Sequence, residues 1–261
     1  MITLLSRYGP WAMVAGASEG LGAEYARYLA SLGFHLILIA RRQAQLEAIS
    51  EELTTKFGVQ TQVKVLDLSD TDQLVTYLQN ELPDVGLAIY NAAYSPLGYF
   101  TETSIKDLHM VTDVNVRSAL LFTKVIVDRL KSRHRPGGIV LMSSLSGGQG
   151  TPRLATYAAS KSFNTILAEG LWYELKDDDI DVIASVAGAI RTPGYASRSA
   201  QKDAPGTLDP EQVVKKTLRQ LGKGPTVVPG WTNSLGTFVM KRLLPKSLAI
   251  KMMHNNTKSL Q

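Results

Sequence analysis

The sequence has no cysteine. Disulfides, thiol nucleophiles and thiolate metal sites are therefore excluded. Histidine is scarce: His35, His109, His134 and His254 stand far apart, without ligand spacing, and read as ordinary core or surface residues. No window of about 18 apolar residues occurs, so no transmembrane helix is expected. The N-terminus does not read as a signal peptide, and the expectation is a cytoplasmic protein. Charge of one sign is modest as well, 28 Lys and Arg against 23 Asp and Glu, a net +5 without a basic stripe interleaved with aromatics. Nucleic acid is therefore not an expected partner, although a mildly basic chain favours an anionic small molecule.

What is present is a regular alternation. Trp11–Ala15 and His35–Ala40 are short apolar runs, the second continuous as in a strand covered on both faces. Helical spacing marks 20–32, with Leu21, Tyr25, Tyr28, Leu29 and Leu32 as its apolar stripe, then Gln43–Phe57 and Thr71–Asn80. Further strands are expected at 60–66, 87–90, 138–143, 181–186 and 226–228. A long helix should begin after the N-cap Ser104 and reach Lys131. Others cover 157–176 and the stretch opened by Asp209-Pro-Glu. Strands alternating with helices predict right-handed crossovers and an α/β fold: a doubly wound parallel sheet in three layers, one domain over residues 1–261. The stretch 190–207 and the tail 229–261 break the rhythm. The first reads as a substrate lid.

Gly16-Ala-Ser18-Glu-Gly20-Leu21-Gly22 lies between the first strand and the first long helix. Glycines there permit a tight turn and the approach of a pyrophosphate, and the helix N-terminus supplies N–H groups and positive dipole. At the end of the second strand an acid would bond a ribose 2′-hydroxyl. Ala40 stands there instead, followed by Arg41 and Arg42, which suit a 2′-phosphate. NADP is expected over NAD, with Glu19 as an opposing charge. Tyr157-Ala-Ala-Ser-Lys161 places a phenol and an ammonium on one helix face, and a nearby cation favours the phenolate. Such a tyrosine can pass a proton near neutral pH.

Together these motifs resemble the short-chain dehydrogenase/reductase family in its short, single-domain form, over residues 10–228. The resemblance implies a Rossmann-type fold and a dinucleotide site. Gly16, Gly20 and Gly22 match the glycine motif, with Ala15 in place of its threonine. Asp67, in Leu66-Asp67-Leu68, matches the acid that contacts adenine. Asn91-Ala92-Ala93 resembles the family's Asn-Asn-Ala-Gly turn, and Tyr90 and Ala93 depart from it. Asn115, Ser144, Tyr157 and Lys161 match the catalytic tetrad. Ala187-Gly188-Ala-Ile190-Arg-Thr192 resembles the segment that holds the nicotinamide amide, with Ala187 replacing a proline.

The resemblance implies hydride transfer between a nicotinamide and a carbonyl or secondary alcohol. Tyr157 would be the general acid or base and Ser144 a hydrogen-bond donor to the carbonyl oxygen. Lys161 would lower the Tyr157 pKa and bind ribose, while Asn115 would hold a water of a proton relay. Spacing to Tyr157 and the family pattern favour Ser144 over Ser143, and strand alternation keeps the two side chains off one face. The substrate pocket is expected from Tyr94, Ser95, Pro96, Leu97, Leu145, Ser146 and 194–206. The opening motif, the Ala40-Arg-Arg turn and Pro229-Gly230 look nearest to the acyl and hydroxysteroid reductase branch, which implies a hydrophobic ketone or acyl substrate. The tail segment 234–248 mixes apolar residues with Lys241, Arg242 and Lys246; a pocket wall or a partner helix is expected, and membrane attachment is not. Leu120, Phe122, Phe163, Leu167, Leu171 and Trp172 exceed one core face, so a homodimer or homotetramer is expected. The competing readings are a catalytically silent NADP-binding regulatory or scaffold protein and a sugar-nucleotide epimerase or dehydratase. The first does not need the tetrad, and the second needs a longer C-terminal domain.

Overall fold

A computed structural model describes residues 3–197 and 203–258. Seven strands form one parallel sheet: β1 (Trp11–Ala15), β2 (His35–Ala40), β3 (Thr61–Val65), β4 (Val85–Tyr90), β5 (Gly137–Ser144), β6 (Ile180–Ala187) and β7 (Thr226–Val227). Their order is β3-β2-β1-β4-β5-β6-β7, and every pairing is parallel. The chain winds outward from β1 to β3, returns to β4, and winds out the other way. The switch between β1 and β4 opens a crevice at the carboxyl ends of these two strands, where doubly wound sheets bind ligands.

Alternation along the strands builds the three layers. Val14, Leu36 and Leu38 face one apolar cluster, with Tyr25 and Leu29 of α2 (Gly20–Ser31) and Val213 of α9 (Pro210–Gln220). Met13, Ile37 and Ile39 face the other, with Leu74 of α4 (Thr71–Asn80), Phe122 of α6 (Ser118–Ser132) and Ala168 of α7 (Ala155–Glu174). Strands buried on both faces carry no polar alternation, as their sequences indicated. The α/β, doubly wound, three-layer architecture is as expected. The expected elements shift only by one or two residues at their ends, and α3 (Gln43–Phe57) and α4 begin and end where the sequence placed them.

Several features depart from expectation. The long helix after Ser104 is α5 (Ile105–Thr112) and α6 joined by a π-helical turn, Asp113–Arg117. Ser104 caps it as expected, accepting from Asp107 N at 3.1 Å. Asp209 caps α9 in a capping box with Gln212. Leu32 lies beyond the end of α2 and is exposed, because the helix stops at Ser31. Phe122 is not surplus apolar surface but part of the core, edge-on to Tyr90 at a centroid distance of 5.1 Å. The tail segment 234–248, expected as a pocket wall or partner helix, falls on α10 (Trp231–Arg242) and the start of α11 (Lys246–Lys258), whereas α1 (Leu4–Tyr8) had no sequence signal. A short helix, α8 (Pro193–Ala196), starts the stretch expected as a lid. The middle of that stretch, 198–202, lies outside the described residues. Among the described residues, no helix is long and apolar enough to cross a membrane.

Candidate active site

A cavity of about 600 Å³ runs across the carboxyl ends of β1, β2, β4, β5 and β6. Every residue singled out from the sequence for catalysis or cofactor binding lines it, except Gly22 and Asn115. Those two act from one layer behind. Gly22 allows α2 to lie against the turn: a Cβ there would sit 1.9 Å from Gly16 O. Gly16 has φ +86°, and a Cβ on it would come within 2.7 Å of Ala92 N. Asn91 Nδ2 donates to Gly16 O at 3.0 Å and ties the β1 turn to the β4 turn. No side chain caps the N-terminus of α2, and its first turn holds no acid. A backbone cradle that only glycine can form, beneath uncapped helix N–H groups, fits a pyrophosphate.

The far end of the cavity is charged and half-exposed. Arg42 donates to Ser18 Oγ at 2.8 Å and pairs with Glu19 at 3.0 Å. Arg41 lies 3.8 Å from Asp67, whose other oxygen accepts from Ser69 N at 2.9 Å. Both arginines are thus held by acids at the rim. Exposed pairs of this kind are worth about 1 kcal/mol or less, so an arriving phosphate can exchange for the carboxylates.

The other end is buried. Ser144 closes β5, and its Oγ accepts from Ser146 N at 3.2 Å. Ser143 turns the opposite way, as strand alternation requires, and donates to Lys161 O at 2.7 Å. Tyr157 and Lys161 stand one turn apart on α7, with Lys161 Nζ 5.6 Å from the Tyr157 ring centre. Lys161 is only 2% exposed and donates to Met142 O at 2.9 Å. Burial pushes its ammonium down to about 8.

Asn115 is fully buried in the π-helical turn, where the extra residue swings its side chain inward. Its Oδ1 accepts from Tyr94 N at 2.7 Å, and its Nδ2 donates to Tyr94 O at 2.8 Å and to Ser160 Oγ at 3.0 Å. Ser160 in turn donates to Tyr157 O at 2.7 Å. Both amide hydrogens are therefore spent on protein. The side chain braces Tyr94 against α7.

The substrate side is only partly as expected. Tyr94 lines the cavity, and so do Gly194 and Tyr195 from α8. Ser95, Pro96, Leu97, Leu145 and Ser146 are not among the lining residues. Met110 and Val114 are, and the sequence reading missed both. Their four-residue spacing, ending beside Asn115, was the signal. Thr192 caps α8, accepting from Tyr195 N at 3.2 Å, and Ile190 bridges to Leu208. The tail does not line the cavity but buttresses it from outside: Arg153 donates to Thr257 O at 2.6 Å, and Asn233 Nδ2 to Gly206 O at 3.0 Å.

Residues 10–203 match the sequence model of short chain dehydrogenases. A very-long-chain 3-oxoacyl-CoA reductase of Podospora anserina is 33% identical over 260 residues, 95% of this chain and 75% of that protein. A 7β-hydroxysteroid dehydrogenase of Clostridium sardiniense is 30% identical over 230 residues, 87% of this chain and 88% of that protein. Among solved structures, a 7β-hydroxysteroid dehydrogenase superposes with a TM-score of 0.88 at 25% identity, covering 96% of this chain and 98% of the other. A short-chain dehydrogenase of Sphingobium yanoikuyae, in complex with NADPH, has a TM-score of 0.76 at 26% identity, over 85% and 87% of the two chains.

Proposed function

The chain belongs to the short-chain dehydrogenase family, an enzyme class of nicotinamide-dependent oxidoreductases, and from that premise we propose that it uses NADP(H) to interconvert a hydrophobic ketone or acyl carbonyl and its alcohol. The observation that carries this reading is one cavity with two chemically distinct ends: Ser144, Tyr157 and Lys161 at the buried end, and Ser18, Arg41 and Arg42 at the charged rim. The glycine cradle lies between them.

When bound, the nicotinamide supplies or accepts the hydride. The residues do the rest. In the reducing direction Tyr157 gives its hydroxyl proton to the carbonyl oxygen, and Ser144 donates a hydrogen bond to the same oxygen as charge builds there. Lys161, as a buried cation beside the ring, favours the phenolate that proton transfer leaves. Asn115 keeps Tyr94 and the first turn of α7 in register. Gly188, Ile190 and Thr192 hold the carboxamide end of the cofactor, and Asp67, Leu68, Asn91 and Ala92 its adenosine end. Arg41 and Arg42 exchange their carboxylate partners for the 2′-phosphate.

Tyr94, Met110, Val114 and Tyr195 make the substrate side aromatic and apolar, which favours a bulky apolar ketone or acyl chain. The reductases of acyl thioesters and steroids among the relatives support that class. The stretch 190–207 serves as its lid: Arg191 pairs with Asp203 and Asp209, and Ala204 N donates to Tyr195 OH at 2.9 Å, which ties its two ends. A homodimer or homotetramer forms through α5, α6 and α7, where Leu120, Ile166 and Tyr173 are exposed. The test is spectrophotometric loss of NADPH, and separately of NADH, against a panel of ketones, steroids and acyl thioesters. Turnover of an apolar carbonyl with NADPH preferred supports the reading; preference for NADH reverses the cofactor assignment, and inactivity against the panel rejects the substrate class.

A further inference from the structure

From sequence, the segment 234–248 is expected as a pocket wall or a partner helix and not as a membrane attachment. The structure changes the count. Two consecutive helices, α10 and α11, lie on the outside of the fold and expose six large apolar side chains: Trp231, Leu235, Phe238, Leu243, Leu248 and Met252. On α10 the arrangement is one-sided. At about 100° per residue, Trp231, Leu235 and Phe238 fall within about 60° of arc. Asn233, Thr237 and Met240 form the opposite face and turn toward the body of the protein, where Asn233 is buried. Trp231, at 77% exposure, and Phe238, at 57%, are apolar groups that the fold itself leaves in water.

The charge on this surface is equally one-sided. Of the chain's 28 Lys and Arg, nine lie after Glu211, and none of its 23 Asp and Glu does. Lys241, Arg242, Lys246, Lys251 and Lys258 are all exposed on the two helices, and none makes an ion pair among the described residues. Large apolar side chains flanked by unpaired cations, with a tryptophan among them, match the interfacial belt of a bilayer and the negative potential of anionic lipid headgroups. Pairing this face with the same face of a second copy would set cations against cations, since a two-fold interface is self-complementary. That argues against the chain itself as the occupant.

We propose that α10 and α11 form a docking surface for an anionic bilayer, onto which the enzyme adsorbs by inserting Trp231, Leu235 and Phe238 while Lys241, Arg242, Lys246 and Lys251 meet the headgroups. The same two helices hold the outer wall of the active site: Asn233, on the inward face of α10, bonds the Gly206 carbonyl, and Thr257 of α11 bonds the Pro152 carbonyl. The membrane would thus meet the outer side of helices whose inner side braces the loop beside the cavity. The surface stands independently of what the enzyme reduces.

Flotation of the full chain with phosphatidylcholine vesicles, with and without phosphatidylserine, tests it. Binding should need phosphatidylserine, weaken in high salt, and fall at least about a hundredfold in K241E/R242E/K246E/K251E. W231S/L235S/F238S should also release the protein from vesicles while its circular dichroism and its turnover of a water-soluble ketone stay unchanged. Failure to bind either vesicle, equal binding to both, or vesicle binding untouched by the two variants would overturn the proposal. So would light scattering that showed W231S/L235S/F238S converting a dimer into a monomer, since the face would then be covered by a second copy.

Discussion

The two ends of the cavity are built on opposite principles. At the buried end, Lys161 is 2% exposed, Asn115 is fully buried, and both side chains are hydrogen-bonded within the fold. At the rim, Arg42 and Glu19 are each nearly half-exposed and hold one another. Proton transfer and charge stabilisation need groups already in position before the reaction, because reorganising them during it raises the barrier. Recognition of a 2′-phosphate needs only charge that can change partners. On the proposed function, the buried end decides whether reaction occurs and the rim decides with which dinucleotide.

The largest test of that contrast is at the buried end. Tyr157→Phe should cut kcat by about 10²–10⁴-fold with NADPH binding, read by fluorescence titration, nearly unchanged. Ser144→Ala should follow at about 10²–10³-fold. A Tyr157→Phe enzyme with near-normal turnover would break the comparison outright.

The pH dependence comes next. Lys161 loses its proton near 8 in the native chain but near 10.5 when unfolded. Above about 8 the free enzyme loses the cation beside Tyr157, and kcat/KM for reduction should fall by up to about tenfold per pH unit. Over the same window the unfolded chain binds a proton that the native chain does not, so the Lys161 contribution to stability rises with pH. Activity falling while urea midpoints hold or rise is the expected pair of curves. Parallel losses would assign the pH effect to unfolding.

Asn115→Ala sharpens the positioning role. It strands the Tyr94 backbone groups and should lower stability by about 1–3 kcal/mol in urea titrations. It should also raise KM for the carbonyl substrate more than KM for NADPH, since Tyr94 lies on the substrate side. At the rim, Arg42→Ala should weaken NADPH binding about tenfold and leave NADH binding alone. The smallest effect is at Glu19. Glu19→Gln removes the competing carboxylate and should tighten NADPH about two- to fivefold. No change in either cofactor's affinity would mean that the rim pairs are structural and not exchangeable.

Much of this was legible beforehand. The continuous apolar run at β2 announced a strand covered on both faces, and the glycines at 16, 20 and 22 announced the cradle. Tyr157 and Lys161 showed their relation because helix spacing is local. The preference for Ser144 over Ser143 rested on its spacing to Tyr157 and on the family pattern, and in the fold both line the cavity while Ser143 donates to Lys161 O. Other features were not legible. The π-helical turn leaves no pattern in Asp113-Val-Asn-Val-Arg117, and it sets where the Asn115 amide points. Met110 and Val114 share a four-residue spacing, but only the packing of α5 and the π-helical turn against the cavity shows which surface that spacing faces. Phe122 read as spare surface until Tyr90 was brought against it.

By itself, then, the sequence determined the order of strands and helices, the turn that only glycine can make, and the candidates for the reacting groups. Each of those depends on residues a few positions apart, where backbone geometry alone fixes the relation. Only the tertiary structure decided that Lys161 is buried enough to titrate near 8, that Arg42 is held by Glu19, and that Trp231, Leu235 and Phe238 face outward while Asn233 faces in. Burial and pairing are set by what arrives from distant parts of the chain, and spacing along the sequence carries no record of it.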